Sequence, residues 1–301
     1  MERPKRLYKY MTAARTDVLR DLSLRFTQPG ALNDPFELTP MFEQVMSEEK
    51  FGDTLEQSKG LIEDALREQY KELPAELRSR VPLENFISIV QANPSLVDHA
   101  LSNIAPTFRA VIAAFAPQAK AMLTETLQSK IGILSLSESA DHPLLWAHYA
   151  DSHKGLAIEF DVQHEYFDRR RSDRDELYHL RQVKYAERSS MGRTLFDLDG
   201  DDLLVTKSLS WSYEREWRML APLDAAESCR KINGEAVYLF PVPALAITGV
   251  VLGARVADKV ADEVAELLRL EHFRHTQLYR AELDMNRQVV AIKKPSRSGD
   301  V

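Results

Sequence analysis

The sequence has very little cysteine and no long apolar run. Its single cysteine, Cys229, excludes an internal disulfide and a thiolate metal cluster, and such low cysteine use is typical of a reducing cytoplasm. No apolar stretch approaches the roughly 18 residues that a membrane span needs. The basic start MERPKR is not followed by an apolar segment, so we expect no secretory signal and a cytoplasmic location.

Common nucleotide-binding and hydrolase motifs are also missing. The 11 glycines form neither a GxGxxG nor a P-loop sequence, and the chain has no HExxH or GxSxG. The formal net charge of −7 argues against a chain-wide attraction to nucleic acid, although a local basic groove stays open. The spacing of His142, His148 and His153 does not place them on one helical face, so we expect no metal site.

The most informative stretch covers residues 133–161, ILSLSESADHPLLWAHYADSHKGLAIEFD. Its pattern predicts a strand, a short helix that begins at Pro143, and a second strand after Gly155. Buried polar groups often serve only structure, so a core unit with surface histidines is one interpretation. The other is a functional site, for which the stretch offers Ser135, Ser137, Trp146, Tyr149 and His153.

Helices and strands alternate along most of the chain without tight βαβ spacing, which predicts a mixed α+β fold with a mixed central sheet. Residues 41–129 differ, because glycine nearly disappears there and apolar residues recur at helical spacing. We therefore predict a single α+β domain over residues 1–292, with an all-helical insertion at 41–129 and a disordered tail at 293–301. Prolines 74, 82, 94, 106 and 117 predict that the insertion is divided into short helices.

Outside these stretches, alternating apolar residues predict strands at 7–10, 24–27, 178–186, 236–240, 247–252, 277–283 and 288–292. Helical spacing predicts helices at 195–209 and 255–270. The loop at 29–37, PGALNDPFE, is rich in turn-forming residues. Asn33 and Asp34 can hydrogen-bond their own backbone and fix this loop, or they can project with Glu37 into a cleft.

Glu214, Glu216 and Arg218 occupy every second position of YEREWR. On a strand, such positions point to the same face. Two adjacent carboxylates repel each other, so at least one should have a raised pKa or be neutralised by Arg218. An exposed, salt-bridged ladder on the strand surface is the alternative interpretation.

Several of these stretches together resemble a bacterial domain-of-unknown-function family, found in scattered genomes and in some of them beside phage-defence genes. They are LYKY with Tyr8 and Lys9, the loop LNDPFE, the run SLS…LLWAHYADSHKGLAIEFD, the KS pair at Lys207, and YEREWR. The resemblance covers nearly the whole chain apart from the insertion and the tail. The combination is specific, whereas each piece alone is not.

The order of elements also resembles, more weakly, the ADP-ribosyltransferase fold. That resemblance implies a first strand that holds NAD and a middle strand with Ser or Thr followed by a helix with an aromatic residue. A late strand then carries a Glu that holds the nicotinamide ribose. Carried over to this sequence, the positions are Lys9, then Ser135 and Ser137, then Tyr149, and finally Glu216 within a Glu-x-Glu motif that begins at Glu214.

Two functions are consistent with these features. The first is an enzyme that cleaves the N-glycosidic bond of NAD and passes ADP-ribose to protein, nucleic acid or water, as a toxin or phage-defence effector. NAD is then a substrate, and no metal is needed. The second is a non-catalytic module of a bacterial defence system that binds a protein or nucleotide, with the helical insertion as the surface for a protein partner.

For the enzyme, the expected roles divide into three groups. Glu216 and Glu214 would be catalytic. The residues expected to contact NAD are Tyr8, Lys9, Ser135, Ser137, Trp146, Tyr149 and Arg218. The rest of the site would comprise Asn33, Asp34, Glu37, His153 and Lys207.

Overall fold

The computed structural model describes residues 3–34, 36–40, 42–187, 193–232 and 234–294. Its contacts divide the chain into two compact units. The larger unit comprises Met1–Thr39, Thr124–Arg188 and Gly200–Val301, and the smaller comprises Pro40–Leu123 and Ser189–Asp199. The predicted tail lies outside the described residues except for Lys293, which ends a strand, and Lys294.

The strands belong to the larger unit. In chain order they are β1 (Arg6–Met11), β2 (Ser23–Phe26), β3 (Ile131–Ser137), β4 (Leu156–Asp161), β5 (Leu180–Gln182), β6 (Lys184–Ala186), β7 (Thr206–Ser208), β8 (Glu216–Pro222), β9 (Ser228–Ile232), β10 (Glu235–Pro241), β11 (Ile247–Leu252), β12 (Gln277–Asp284) and β13 (Val289–Lys293).

The helices occur in both units. In chain order they are α1 (Asp17–Asp21), α2 (Glu48–Gln57), α3 (Lys59–Glu72), α4 (Ala75–Arg80), α5 (Leu83–Gln91), α6 (Pro94–Lys130), α7 (Pro143–Tyr149), α8 (Gly200–Leu204) and α9 (Asp258–Leu267). The helix predicted at 255–270 is therefore confirmed as α9, with a later start and an earlier end. Among the described helices, α6 included, none is both long enough and apolar enough to span a membrane.

Eight strands form one mixed sheet in the order β13-β12-β11-β4-β1-β3-β8-β5. β11 and β12 pair in parallel, and the other neighbours in this sheet are antiparallel. β2, β10 and β9 form a second sheet, and β6 and β7 form a parallel pair. The prediction of a mixed α+β fold with a large mixed sheet is confirmed.

Alternation along the central strands builds the core on one side of the large sheet. Leu134 and Leu136 of β3 and Ile158 and Phe160 of β4 are buried in one cluster, together with Leu7 of β1. Burial of side chains of this size contributes about 1.5–3 kcal/mol each. The period-two pattern in the sequence is therefore the reason why these segments become adjacent strands.

β1 and β3 are neighbours that pair at a single described position, Tyr8 opposite Ser137. By contrast, β3 pairs with β8 along its full length, from Ile131 opposite Pro222 to Ser137 opposite Glu216. The sheet therefore opens between β1 and β3 beyond their one contact.

Two predicted elements are corrected by the structure. The strand predicted at 178–186 is divided into β5 and β6, because the Val183 N–H donates to the Glu216 carbonyl and the Lys184 N–H then donates to Val205. The helix predicted at 195–209 is instead a short helical turn, then α8, then β7. The sequence DLDGDD in this stretch is poor in helix-forming residues, so a long helix is not favoured there.

The smaller unit is helical. Pro74 and Pro82 stand just before α4 and α5, as predicted, but Pro106 and Pro117 lie inside α6. Both prolines are exposed, and many neighbouring residues are alanines, so the strong helix propensity continues the helix through them. Within this unit, Phe42 and Val45 pack with Ala116 and Ala119 of α6. The insertion boundaries 41–129 remain a prediction.

Candidate functional site

A cavity of about 310 Å³ in the larger unit is lined by residues from β1 and β3, the two strands that diverge. Further lining residues come from β2, the loop after it, α7, β7 and β8. Seven charged side chains are among them: Lys9, Arg25, Lys207 and Arg218, with Glu37, Glu214 and Glu216. Burying so many charged groups in one cavity is costly unless they are paired. Two of the cations, Lys207 and Arg218, are paired with the three carboxylates.

Lys207 is a buried ammonium surrounded by three carboxylates. Its Nζ lies 2.6 Å from Glu214 Oε2, 3.1 Å from Glu216 Oε2 and 3.5 Å from Glu37 Oε2. β7 presents this side chain because the parallel pairing with β6 sets Lys207 beside Tyr185. Lys207 therefore connects residues that lie far apart in sequence.

Arg218 is the second buried cation, with no exposed surface. Its Nε lies 2.8 Å from Glu216 Oε1 and its Nη2 lies 3.1 Å from Glu216 Oε2, which is a two-pronged contact. Nη2 also contacts Glu37, and Nη1 donates to the Leu204 carbonyl at 3.0 Å. The predicted neutralisation of Glu216 by Arg218 is confirmed, and the exposed ladder is excluded.

The electrostatics of the cluster follow from its burial. Burial raises the pKa of Glu216 above its ordinary value, although the ammonium of Lys207 opposes the shift. Burial by itself would lower the pKa of Lys207, but the carboxylates of Glu216 and Glu214 outweigh burial and raise it. Lys207 is therefore firmly charged near neutral pH and holds the two glutamates together.

Glu214 does not lie on the strand, which corrects the same-face argument. It ends a short helical turn, Leu209–Glu214, and Arg215 is in the left-handed region at φ 46° and ψ 52°. β8 begins only at Glu216. The two carboxylates still converge, because the reversal at Arg215 returns the Glu214 side chain to Lys207.

Tyr149 connects α7 to this cluster and to the loop after β2. Its hydroxyl donates to Glu214 Oε1 at 2.5 Å and accepts from Asn33 Nδ2 at 2.8 Å. Burial and the nearby Glu214 carboxylate raise the pKa of Tyr149, so the phenol stays protonated and keeps this donor role.

Lys9 and the serines of β3 lie beside the carboxylates. Lys9 Nζ donates to the Ser135 carbonyl at 3.1 Å. Burial lowers the pKa of Lys9 to about 8, and the carboxylate of Glu216 counteracts part of that shift. Ser137 Oγ donates to the Glu214 carbonyl at 2.6 Å, and the Ser135 side chain hydrogen-bonds Glu216.

Most of the predicted site residues line this one cavity. They are Tyr8, Lys9, Asn33, Glu37, Ser135, Ser137, Tyr149, Lys207, Glu214, Glu216 and Arg218. Tyr8 also donates to Glu159 Oε2 at 2.8 Å, so part of its polar capacity is already used.

Three predicted residues are not among the lining residues. Trp146 is fully buried, donates to the Ala140 carbonyl at 2.9 Å and packs on Tyr10, so it cannot stack on a ligand in the cavity. His153 stacks near Trp146 in the turn after α7. Asp34 is buried beside a second cavity and accepts the Phe36 N–H at 2.9 Å, which matches the loop-fixing interpretation.

The sequence did not single out Arg25 or Tyr185. Arg25 lies on β2 between buried Leu24 and Phe26 and lines the cavity. The sequence signal for Arg25 was its place at the polar position of a short strand with alternating apolar residues. The Tyr185 hydroxyl accepts the Glu216 N–H at 2.8 Å, a contact that depends on the crossing from β5 to β6. No group of described His, Cys, Asp or Glu side chains is arranged to hold a metal ion.

Residues 145–219 match the model of a family described as Protein of unknown function (DUF2971). The expected resemblance to a domain-of-unknown-function family is confirmed for this segment. The DUF2971 segment contains Tyr149, Lys207, Glu214, Glu216 and Arg218, whereas LYKY and LNDPFE lie outside it. No curated protein and no solved structure matches the chain. One wall of the cavity is therefore built from the matched segment.

Proposed function

We propose that the cavity binds the nicotinamide riboside end of NAD and that the protein is an ADP-ribosyltransferase or NAD glycohydrolase with an ADP-ribosyltransferase-like fold. A volume of about 310 Å³ is at the lower end of small-ligand sites, so it suits one end of a dinucleotide. Because the family that the sequence resembles is found beside phage-defence genes in some genomes, we propose a role as a toxin or phage-defence effector.

The observation that carries this proposal is the order of three neighbouring strands. Lys9 lies on β1, Ser135 and Ser137 on β3, and Glu216 at the start of β8, and these strands are consecutive in the large sheet. Tyr149, on the helix that follows β3, lines the same cavity. These are the positions that the ADP-ribosyltransferase resemblance implies for NAD contact and catalysis.

In the proposed reaction, the bond between ribose C1′ and the nicotinamide nitrogen breaks, and its electron pair leaves with nicotinamide. The ribose becomes oxocarbenium-like, and a nucleophile of the acceptor or a water bonds to C1′ and loses its proton. A fixed negative charge near C1′ stabilises the positive charge in the transition state. Glu216 and Glu214 supply that charge. Glu214 is the better placed to accept the nucleophile's proton, because its carboxylate contacts Lys207 and Tyr149, whereas that of Glu216 also contacts Arg218 twice.

A second candidate, a nucleotide-binding module without catalysis, is favoured by the contacts of Glu216. Arg218 donates to it twice, Lys207 once, and Ser135 once. A carboxylate offers about four acceptor positions, so none is left for a ribose hydroxyl in this arrangement. The smaller unit would then supply a protein-binding surface, which the exposed Phe108, Val111 and Phe115 of α6 would suit.

Nicotinamide release from NAD by the purified protein separates these candidates. We expect turnover in the wild type and a loss of about a hundredfold or more in Glu216→Gln, since this change keeps shape but removes the charge. The rate of nicotinamide release should fall less in Glu214→Gln. It should not change in Glu266→Gln, which lies on the exposed side of α9. Stabilisation of the wild type by NAD without nicotinamide release would favour the binding module. If NAD neither stabilises the protein nor releases nicotinamide, both candidate functions are contradicted.

A further inference from the structure

The charges in the cavity are not evenly paired. Glu37, Glu214 and Glu216 contact Lys207 and Arg218, whereas Lys9 and Arg25 form no ion pair with these three carboxylates among the described side chains. The cavity therefore has a neutralised wall and a second wall with two cations.

Arg25 has unused hydrogen-bond donors in this second wall. Its Nε and Nη2 are buried and donate no hydrogen bond to any described residue. Arg25 forms a long ion pair with Glu235, whose Oε2 lies 3.8 Å from Nη2, beyond hydrogen-bond range, and whose side chain is largely exposed. Leaving buried donors of a charged group unsatisfied is costly, which favours a ligand that accepts from them.

Lys9 and Thr27 complete this wall. Lys9 Nζ uses one donor on the Ser135 carbonyl, and an ammonium carries three. Lys9 and Arg25 both line the cavity, and Arg25 disfavours the charged form of Lys9. Thr27 lines the cavity directly after Phe26, the last residue of β2.

We infer that Arg25, Lys9 and Thr27 form a phosphate subsite for the pyrophosphate of a dinucleotide, next to the pocket for its nicotinamide riboside end. A guanidinium matches two phosphate oxygens at once, and an ammonium adds a point charge. This inference rests on the proposed function for the identity of the ligand, but the subsite itself would accept any pyrophosphate-bearing molecule. Bound phosphate would occupy the unused donors of Arg25.

The subsite is tested by calorimetric binding of ADP-ribose, nicotinamide riboside and inorganic pyrophosphate to wild type and variants. Arg25→Gln should lower the affinity for ADP-ribose and for pyrophosphate by about tenfold or more. It should change the affinity for nicotinamide riboside by less than about twofold. Arg15→Gln is the matched control, because Arg15 also acts on the charge of Lys9 but is paired with Asp17 and is not a lining residue. It should bind all three ligands as the wild type does.

Three results with the variants would overturn the subsite. They are unchanged ADP-ribose binding in Arg25→Gln, an equal loss for the riboside and the phosphorylated ligands, or an equal loss in Arg15→Gln. A wild type that binds neither ADP-ribose nor pyrophosphate would also overturn it. If Arg25→Gln does not fold, Arg25→Lys decides, since it keeps the charge but not the fork and should lose affinity only for phosphorylated ligands.

The same protein samples separate this inference from the proposed function. Pyrophosphate and ADP-ribose binding that depends on Arg25, without nicotinamide release from NAD, would support the subsite and contradict the enzyme. Nicotinamide release that survives Arg25→Gln with unchanged Michaelis constant would support the enzyme and contradict the subsite.

Discussion

Glu216 and Arg218 lie two residues apart on β8 and form a fully buried, two-pronged pair, with Nε 2.8 Å from Oε1 and Nη2 3.1 Å from Oε2. Burying two charges is costly, and the pair repays that cost only when both partners are present. The cavity therefore depends on this pair for its shape as well as for its charge.

Arg218→Met should be strongly destabilising. It leaves Glu216 and Glu37 without their guanidinium partner in a buried site, and removal of one member of such a pair typically costs about 3–5 kcal/mol. Urea unfolding followed by circular dichroism measures the change. The double variant Glu216→Gln with Arg218→Met should lose less free energy of unfolding than the sum of the two single variants. The reason is that it leaves neither residue of the pair as an unpaired buried charge. Additive losses would contradict the pairing.

The pairing also explains how far the sequence could predict this site. The i and i+2 spacing on a strand correctly predicted that Glu216 and Arg218 meet. For Glu214 the same argument failed, because the left-handed conformation of Arg215 is not visible in the spacing. Lys207 was predicted as a site residue from the family resemblance alone. Its contacts with both glutamates depend on the pairing of β6 with β7, and β7 lies in a region predicted to be a long helix.

Tyr149→Phe should weaken the link between α7 and the loop after β2. The hydroxyl donates to Glu214 and accepts from Asn33, so its removal should cost about 1–2 kcal/mol in the free energy of unfolding. Asn33→Ala should cost less, because Asn33 is exposed and Glu214 keeps its tyrosine donor. Denaturant unfolding of both variants checks the order, and a larger loss in Asn33→Ala would contradict it.

Affinity for ADP-ribose should fall as the pH rises through about 8. The pKa of Lys9 is lowered to about 8 by burial, so its ammonium loses its proton in this range and one cation leaves the proposed phosphate wall. The groups that act on this titration are Arg15 and Arg25, which favour proton loss, and Glu214 and Glu216, which oppose it. Calorimetric titrations between pH 6.5 and 9.5, a range set by that pKa, should show the decline in the wild type.

Lys9→Arg provides the control for this pH dependence, since a guanidinium stays charged throughout the range. Its ADP-ribose affinity should be nearly constant with pH. Stability should change in the opposite direction to affinity in the wild type. Because the folded pKa of Lys9 lies below its ordinary value of 10.5, the folded state binds fewer protons between about 8 and 10.5, and stability rises with pH there. Lys9→Met should lose that rise.

Variants of Trp146 distinguish a packing role of this residue from a role in ligand contact. The sequence predicted that Trp146 contacts NAD, but its ring is fully buried between Tyr10 and His153 and its Nε1 donates to the Ala140 carbonyl. Trp146→Phe removes volume and this hydrogen bond, so it should lower the free energy of unfolding by about 1–3 kcal/mol.

Ligand affinity should not follow that loss of stability. If Trp146 only positions α7, Trp146→Phe should bind ADP-ribose and nicotinamide riboside within about twofold of the wild type at a temperature where both are folded. Tyr149→Phe is the comparison, because it changes a lining side chain on the same helix and should weaken riboside binding. A Trp146→Phe variant with wild-type stability and weakened riboside binding would contradict the packing role and return Trp146 to the ligand site.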